Sequence, residues 1–154
     1  MVTLAVREAD AVDRELLARL VDFYFHDFSE FDGREVGSDG SYHYEWLEAY
    51  WSDADRKAYV FRVDGHPAGF ALVRLTDPIE LAEFFILRKY RRGGFGTVPA
   101  RQVIARHPGR WVISQIASNV PATTFWRSAI PAPFEERELP DGHVEQTFET
   151  GPEA

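Results

Sequence analysis

Arg91-Arg92-Gly93-Gly94-Phe95-Gly96 is the segment whose residue types and spacing point most directly to chemistry. An apolar run, Phe84-Phe85-Ile86-Leu87, precedes it, and a helix-like stretch from Ala100 to His107 follows. A strand, a glycine-rich loop and a helix in that order turn several backbone N–H groups toward one point at a helix N-terminus. Those donors and the helix dipole attract anions, phosphates above all. Glycine suits such a loop because a side chain would hold the ligand off the backbone. Charge is distributed to match. Between Phe84 and Phe134 there is no Asp or Glu, while the stretch carries Arg88, Lys89, Arg91, Arg92, Arg101, Arg106, Arg110 and Arg127. The whole chain has 17 basic and 25 acidic residues, net −8. One third of it is thus arranged for an anion, and the acidic remainder suits a cation.

Other glycine-loop chemistries fail on detail. A nucleotide-hydrolase phosphate loop ends in Gly-Lys-Ser/Thr, and here Gly96-Thr97-Val98 stands at that place. A dinucleotide fingerprint needs a third glycine where this chain has Pro99. That proline fits a helix only in its first turn, where no N–H donor is required.

A second feature is the aromatic and acidic segment Phe23-Tyr24-Phe25-His26-Asp27-Phe28-Ser29-Glu30-Phe31, echoed by Tyr42-His43-Tyr44-Glu45-Trp46 and Tyr50-Trp51. Rings and carboxylates together suit an amine cation, through cation–π and ionic contacts. The same rings equally suit the packing of helices on a sheet. The five histidines show no HExxH or other metal-ligand spacing, so no metal is expected.

Size and composition bound the answer. A chain of 154 residues with 45% apolar content is expected to form one domain with its own core. Without cysteine there is no disulfide framework, thiolate nucleophile or zinc–thiolate site. No run approaches the ~18 apolar residues of a membrane span. The start, Met1-Val2-Thr3-Leu4-Ala5-Val6-Arg7, lacks the pattern of a signal peptide, so a cytoplasmic protein without membrane contact is expected. The acidic balance argues against nucleic acid as a partner.

The elements that must position these residues follow from pattern. Val2 to Val6 reads as a strand, and Asp10 can cap a helix carrying Leu17, Val21, Tyr24 and Phe28 at helical spacing. A second helix is expected from about Tyr42 to Trp51. Tyr59 to Val63, Asp64-Gly65 and Ala68 to Leu75 make the clearest hairpin. Leu81 to Leu87 is the next strand, followed by the loop and its helix, which Pro108-Gly109 stops. Trp111 to Ile116 is a strand, Asn119 can cap a helix bearing Ala122, Phe125, Trp126 and Ala129, and two closing strands run from Phe134 to Leu139 and Val144 to Phe148. The fold class is α/β (α+β): a mixed, mostly antiparallel sheet of about seven strands flanked by about four helices, ordered β-α-α-β-β-β-α-β-α-β-β.

Arg91-x-x-Gly94-x-Gly96 resembles the Arg/Gln-x-x-Gly-x-Gly/Ala loop of the GNAT superfamily of N-acetyltransferases. Glu83-Phe84-Phe85-Ile86 is similar to that family's fourth strand, and Asn119-x-x-Ala122-x-x-Phe125-Trp126 to the segment opening its fourth helix. The specific part of the resemblance spans about Leu81 to Ile130. It implies that acetyl-CoA is the donor and that Arg91, Arg92, Gly93, Gly94, Phe95, Gly96 and Thr97 cradle its diphosphate. It assigns the pantetheine arm to the strand backbone at Phe85, Ile86 and Leu87, in a splay between the fourth and fifth strands. Asn119 would bond that arm, with Phe125 and Trp126 packed near it.

The resemblance further implies transfer to a primary amine of a small molecule or peptide, by direct attack on the thioester, in a monomer or homodimer. An alkylammonium of pKa about 10 must first lose its proton, while a thiolate of pKa about 8.5 leaves readily. Glu83 is the candidate base, and backbone N–H groups near Phe85 and Ile86 are the oxyanion donors. Trp126 stands where many relatives carry an acidic tyrosine, and indole supplies no such proton. A catalytically weak acyl-CoA-binding or sensing module of the same fold is the alternative. The first two helices would roof the acceptor, with Tyr24, Asp27, Phe28, Tyr44 and Trp46 as substrate-binding residues.

Overall fold

A computed structural model describes residues 1–91 and 94–152. The first strand, β1 (Leu4–Glu8), leads into a short 3-10 turn before helix α1 (Arg14–Asp32). Asp10 starts this helical run as the sequence suggests: its carboxylate accepts from Val12 N at 3.0 Å, and the Asp13 carboxylate accepts from Asp10 N at 3.1 Å. Leu17, Leu20, Val21 and Phe25 form the buried stripe of α1, and Gly33, at φ 72°, ends it.

The second helix is far shorter than its aromatic pattern suggests. Only Ala49–Ser52 is helical (α2), rather than Tyr42 to Trp51. The residues before it are held as a loop. Asp22 of α1 accepts from Tyr42 N at 3.0 Å, and His43 has a left-handed φ of 49°. The rings of Tyr42 and Tyr44 meet the edge of Phe25, at 6.3 and 5.2 Å. Fastening these rings to α1 uses the backbone that a longer helix would need.

Strands β2 (Arg56–Val63) and β3 (His66–Arg74) form the expected hairpin. Its turn puts Asp64 and Gly65 at φ 50° and 82°, the hand that twisted antiparallel strands require. β4 (Ile79–Ile86), α3 (Thr97–Ala105), β5 (Gly109–Gln115), α4 (Val120–Ala129), β6 (Phe134–Glu138) and β7 (Val144–Thr150) follow. Pro99 is the third residue of α3, inside the first turn that tolerates it. The seven strands lie in one sheet, ordered β1-β2-β3-β4-β5-β7-β6. Helices cover both faces. One core gathers Phe61, Val103, Ile104, Trp111, Ile113 and Trp126 under α3 and α4; the other gathers Leu17, Phe25, Phe70, Leu72 and Phe85 under α1.

Two irregularities of β4 matter most. Its pairing with β5 is the sheet's parallel contact and holds at only two positions, Ile79↔Trp111 and Glu80↔Val112. Beyond Glu80 the strands part. On the other edge, Leu72 pairs with Glu83 but Val73 pairs with Leu81, so β4 carries one extra residue, Ala82. This bulge re-phases the strand. Leu81 and Phe84 both join the α3–α4 core although three residues apart, while Glu83 and Phe85 turn to the α1 face with their partners Leu72 and Phe70.

Gly69 of β3 allows β4 to lie this close. A Cβ there would stand 2.0 Å from the Phe85 carbonyl oxygen. Gly69→Ala should therefore destabilise the fold by about 1–3 kcal/mol, as overpacking does. Urea unfolding should show a lower midpoint with an unchanged slope.

Candidate active site

Where β4 and β5 part, a groove with a volume of about 330 Å³ runs between β4, α1 and the start of α4. Phe84, Phe85 and Ile86 line it from β4, Tyr24, Asp27 and Phe28 from α1, and Asn119, Phe125 and Trp126 from α4. Gly96, Arg88 and Arg91 close the end nearest the glycine loop.

Backbone polarity on β4 follows its alternation. Leu87 N–H donates to Ala68 O at 2.8 Å, toward β3, whereas Ile86 C=O accepts from Arg91 Nε at 2.8 Å on the other side. The N–H and C=O groups of Phe84 and Ile86 thus face the edge that β5 has left. Phe85 and Leu87 point theirs at β3. Phe85 reaches the groove through its ring, which packs on Tyr24 at 5.7 Å.

The glycine loop approaches α4 closely. Gly94 has φ 81°, and Gly96 is buried so tightly that a Cβ would lie 3.0 Å from the Phe125 ring. Phe95 packs edge-on against Tyr90 at 6.0 Å, and Thr97 opens α3. Arg92 and Gly93 lie outside the described residues. Asn119 caps α4, its Oδ1 accepting from Ala122 N at 3.2 Å. Phe125 stacks on Phe84 at 5.6 Å, and Trp126, 5% exposed, meets Phe84 edge-on at 5.0 Å.

Asp27, expected from its charge to suit an amine cation, already has partners. It accepts from Arg88 Nη2 at 2.7 Å and from Arg91 Nη2. Burial acts to raise its pKa, but the bonds from Arg91 and Arg88 outweigh that and hold the carboxyl below its ordinary range. The Arg91 guanidinium also lies over Phe85, 5.5 Å from the ring centre. α1 and the glycine loop are thereby tied together, by an arginine pair whose link to Asp27 no sequence motif announced.

Glu83 is the reverse case. Its carboxyl faces α1, where burial pushes its pKa up to about 7, against the lowering effects of the Tyr24 hydroxyl and the Arg34 charge and with a further rise from Glu80. Tyr24 and Tyr44 are driven up in turn, first by burial and then by the Glu83 charge. Tyr24 and Tyr44 thus neighbour the Glu83 carboxyl, with Phe28 behind Tyr24, and Tyr24 is also a packing residue: it meets Phe70 edge-on at 5.6 Å and Phe28 at 5.7 Å. Trp46 is 51% exposed, with the Arg56 guanidinium 5.4 Å from its ring centre. Sequence reasoning passed over Arg34 and Arg56, which stand in no motif and are brought to this face by the α1–α2 connection and by β2. A carboxyl that releases its proton near neutrality can take one from an ammonium, and a groove walled on one side by the peptide groups of Phe84 and Ile86 can bind a ligand arm bearing amides. Among the described residues there is no group of three His, Cys, Asp or Glu able to hold a metal ion, and no helix is long and apolar enough to cross a membrane.

Comparison with known proteins agrees with this geometry. A search of the curated proteins found no match. Among solved structures, an acetyltransferase from Thermus thermophilus superposes with TM-score 0.74 at 17% identity, covering 96% of this chain and 97% of that one. The PaiA N-acetyltransferase of Thermoplasma acidophilum, in complex with coenzyme A, gives 0.67 at 11% identity, covering 96% and 99%. An aminoglycoside acetyltransferase, also in complex with coenzyme A, gives 0.68 at 16% identity, covering 96% and 95%. At these identities the likeness is one of fold. The family comparison is more specific: residues 16–129 match the acetyltransferase (GNAT) family. With most of its length inside that match, and with the mixed sheet and parted strands in place, the chain belongs to the acetyltransferase (GNAT) family.

Proposed function

We propose that the protein transfers an acetyl group from acetyl-CoA to a primary amine of a small molecule or peptide, with Glu83 as the base. The observation that carries this reading is a carboxyl held at about 7 on β4, beside a groove that opens along the same strand. The residues present fit the donor. Gly94, Gly96 and Thr97 bring backbone to the first turn of α3, an anion-attracting end. The peptide groups of Phe84 and Ile86 and the amide of Asn119 offer partners to a pantetheine arm, and Phe125 offers it an apolar wall. Bound acetyl-CoA supplies an activated thioester. Phe84 and Ile86 N–H are the donors available to steady a developing oxyanion. Arg88 and Arg91 divide their N–H groups between Asp27 and the phosphate end of the groove.

Glu83 accepts the proton that the ammonium must lose, and Tyr24 steadies the carboxylate form. Trp126 cannot return a proton to the leaving group, and its burial between Phe84 and Phe125 gives it a packing role. That absence of an acid is what favours the alternative of a weakly catalytic binding module. Coenzyme binding without turnover on any of a broad set of amines would support the module.

Three measurements test the enzyme reading. The rate kcat/KM should fall about tenfold per pH unit below about 7 and level off above it. Glu83→Gln should remove this limb and lower turnover about 10²–10⁴-fold while leaving coenzyme affinity unchanged; an unchanged rate rules Glu83 out as base. The same variant carries a stability signature. Glu83 binds its proton more tightly folded than unfolded, so its contribution to stability falls as pH rises from the ordinary glutamate range through about 7. Glu83→Gln should then melt higher than the native protein at pH 8 and show no such gain at pH 4. Gly96→Val, which must push Phe125 aside, should weaken coenzyme A binding about tenfold or more in calorimetry, the lower end of what overpacking costs.

A further inference from the structure

The aromatic cages beside Glu83 already hold cations, and those cations belong to the chain. The Arg34 guanidinium lies over Phe25 at 4.0 Å and over Phe28 at 5.4 Å. Arg56 lies over Trp46 at 5.4 Å and over Tyr50 at 5.3 Å. A polyamine therefore meets occupied rings. Stacking, however, uses only the flat face of a guanidinium and leaves its in-plane N–H fork for a planar anion.

Arg34 uses that fork on Asp32, its Nε donating to Oδ2 at 2.7 Å. Arg56 does not. Its side chain is only 11% exposed, yet the carboxylate it pairs with, Asp53, stands 3.5 Å away, too far for a strong charged hydrogen bond. Across the β2–β3 ladder Arg56 faces a second arginine, Arg74. The Glu80 carboxylate is 3.7 Å from Arg74, whose Nε is buried without a hydrogen-bond partner among the described residues. The Tyr50 hydroxyl, on a residue 5% exposed, is likewise buried without a well-formed hydrogen bond among the described residues, although the Arg56 and Tyr44 side chains stand close enough to act on it. Asp53 and Glu80 offset the two arginine charges only from salt-bridge distance, and buried donors without partners are costly; an anion hydrogen-bonded between the arginines would supply the missing acceptor.

Register places this cluster beside the base. Glu83 pairs with Leu72, and Arg74 lies two residues along β3 on the same face. Burial raises the phenols of Tyr44 and Tyr50; Glu83 adds to that rise and Arg56 opposes it at both, so these groups share one neighbourhood. Trp46 and the Arg74 side chain at the edge of this cluster are partly exposed to solvent.

We propose that Arg56, Arg74 and the Tyr50 hydroxyl form a carboxylate site, and that the acceptor is a small amino carboxylate whose amine reaches Glu83 while its carboxylate takes the Arg56 fork. The class of acceptor rests on the transfer reading above; the carboxylate site itself does not. Calorimetry on the whole chain, without coenzyme, separates the two. A panel of α- and ω-amino carboxylates, 5-aminopentanoate among them, is set against alkylamines of the same carbon skeleton and against the diamine cadaverine. The amino carboxylates should bind at least tenfold more tightly than their matched amines. Arg56→Gln and, separately, Arg74→Gln should lose most of that preference while keeping the native circular dichroism and coenzyme A affinity, and Arg56→Lys should restore only part of it. Equal binding of both classes, tighter binding of cadaverine, no binding of any amino carboxylate, or variants that keep the preference would each overturn the site. A protein that binds amino carboxylates in this way but neither binds coenzyme A nor acetylates them would retain the site and sink the transfer reading instead.

Discussion

The site depends on β4 leaving β5 after two pairs of residues. A strand in mid-sheet that loses one neighbour exposes a row of peptide N–H and C=O groups that must find other partners. Two contacts within the chain answer that demand. Arg91 takes Ile86 C=O, and Phe125 and Trp126 of α4 cover the side chain of Phe84. What remains is a groove with polar backbone on one wall and aromatic rings on the other. The segment that leaves β4 returns to one end of the groove before α3, where Arg88, Arg91 and Gly96 line it. Gly96 lets the loop sit against Phe125, and Gly69 lets β3 follow β4 through its irregular course.

The carboxylates of the chain are arranged by contrast. Asp13 is paired with Arg62 and Arg7, Asp27 with Arg88 and Arg91, and Asp32 with Arg34. Glu136 is drawn down to about 2 by the bonds it accepts from Arg127 and Gln146. Each of these carboxylates is kept charged by a guanidinium in contact. Glu83 has arginine charge in its neighbourhood, but its surroundings are mainly rings, so desolvation prevails and its proton is held to about 7. The bulge at Ala82 is what places it there, since a regular strand from Leu81 would send residue 83 into the α3–α4 core.

Much of this was legible from local pattern. The α1 stripe, the Asp64-Gly65 hairpin, the Asn119 cap and the loop before α3 each rest on interactions within a few residues, so residue type and spacing suffice. The second helix misled because its evidence was a density of aromatics, and aromatics serve a helix face or a loop clamp equally well. Tyr42 and Tyr44 belong to the clamp, drawn to Phe25 and fastened through Asp22, residues that lie about twenty positions away. Asp27 misled in a similar way. Its charge was visible, but its arginine partners come from beyond β4, more than sixty residues later.

The sequence by itself determined the order of elements, the place of the glycine loop before α3 and the residue types gathered around it, because these follow from short-range spacing and composition. Only the tertiary structure decided which of those residues do what. Whether a carboxyl holds its proton or stays an ion-pair partner depends on what surrounds it in space: burial among rings raises Glu83, and guanidinium groups hold Asp27 charged. The aromatic residues divide in the same way, between lining a groove and stacking under the chain's own arginines. Desolvation and pairing are sums over neighbours from distant strands and helices, and folding is what assembles those neighbours.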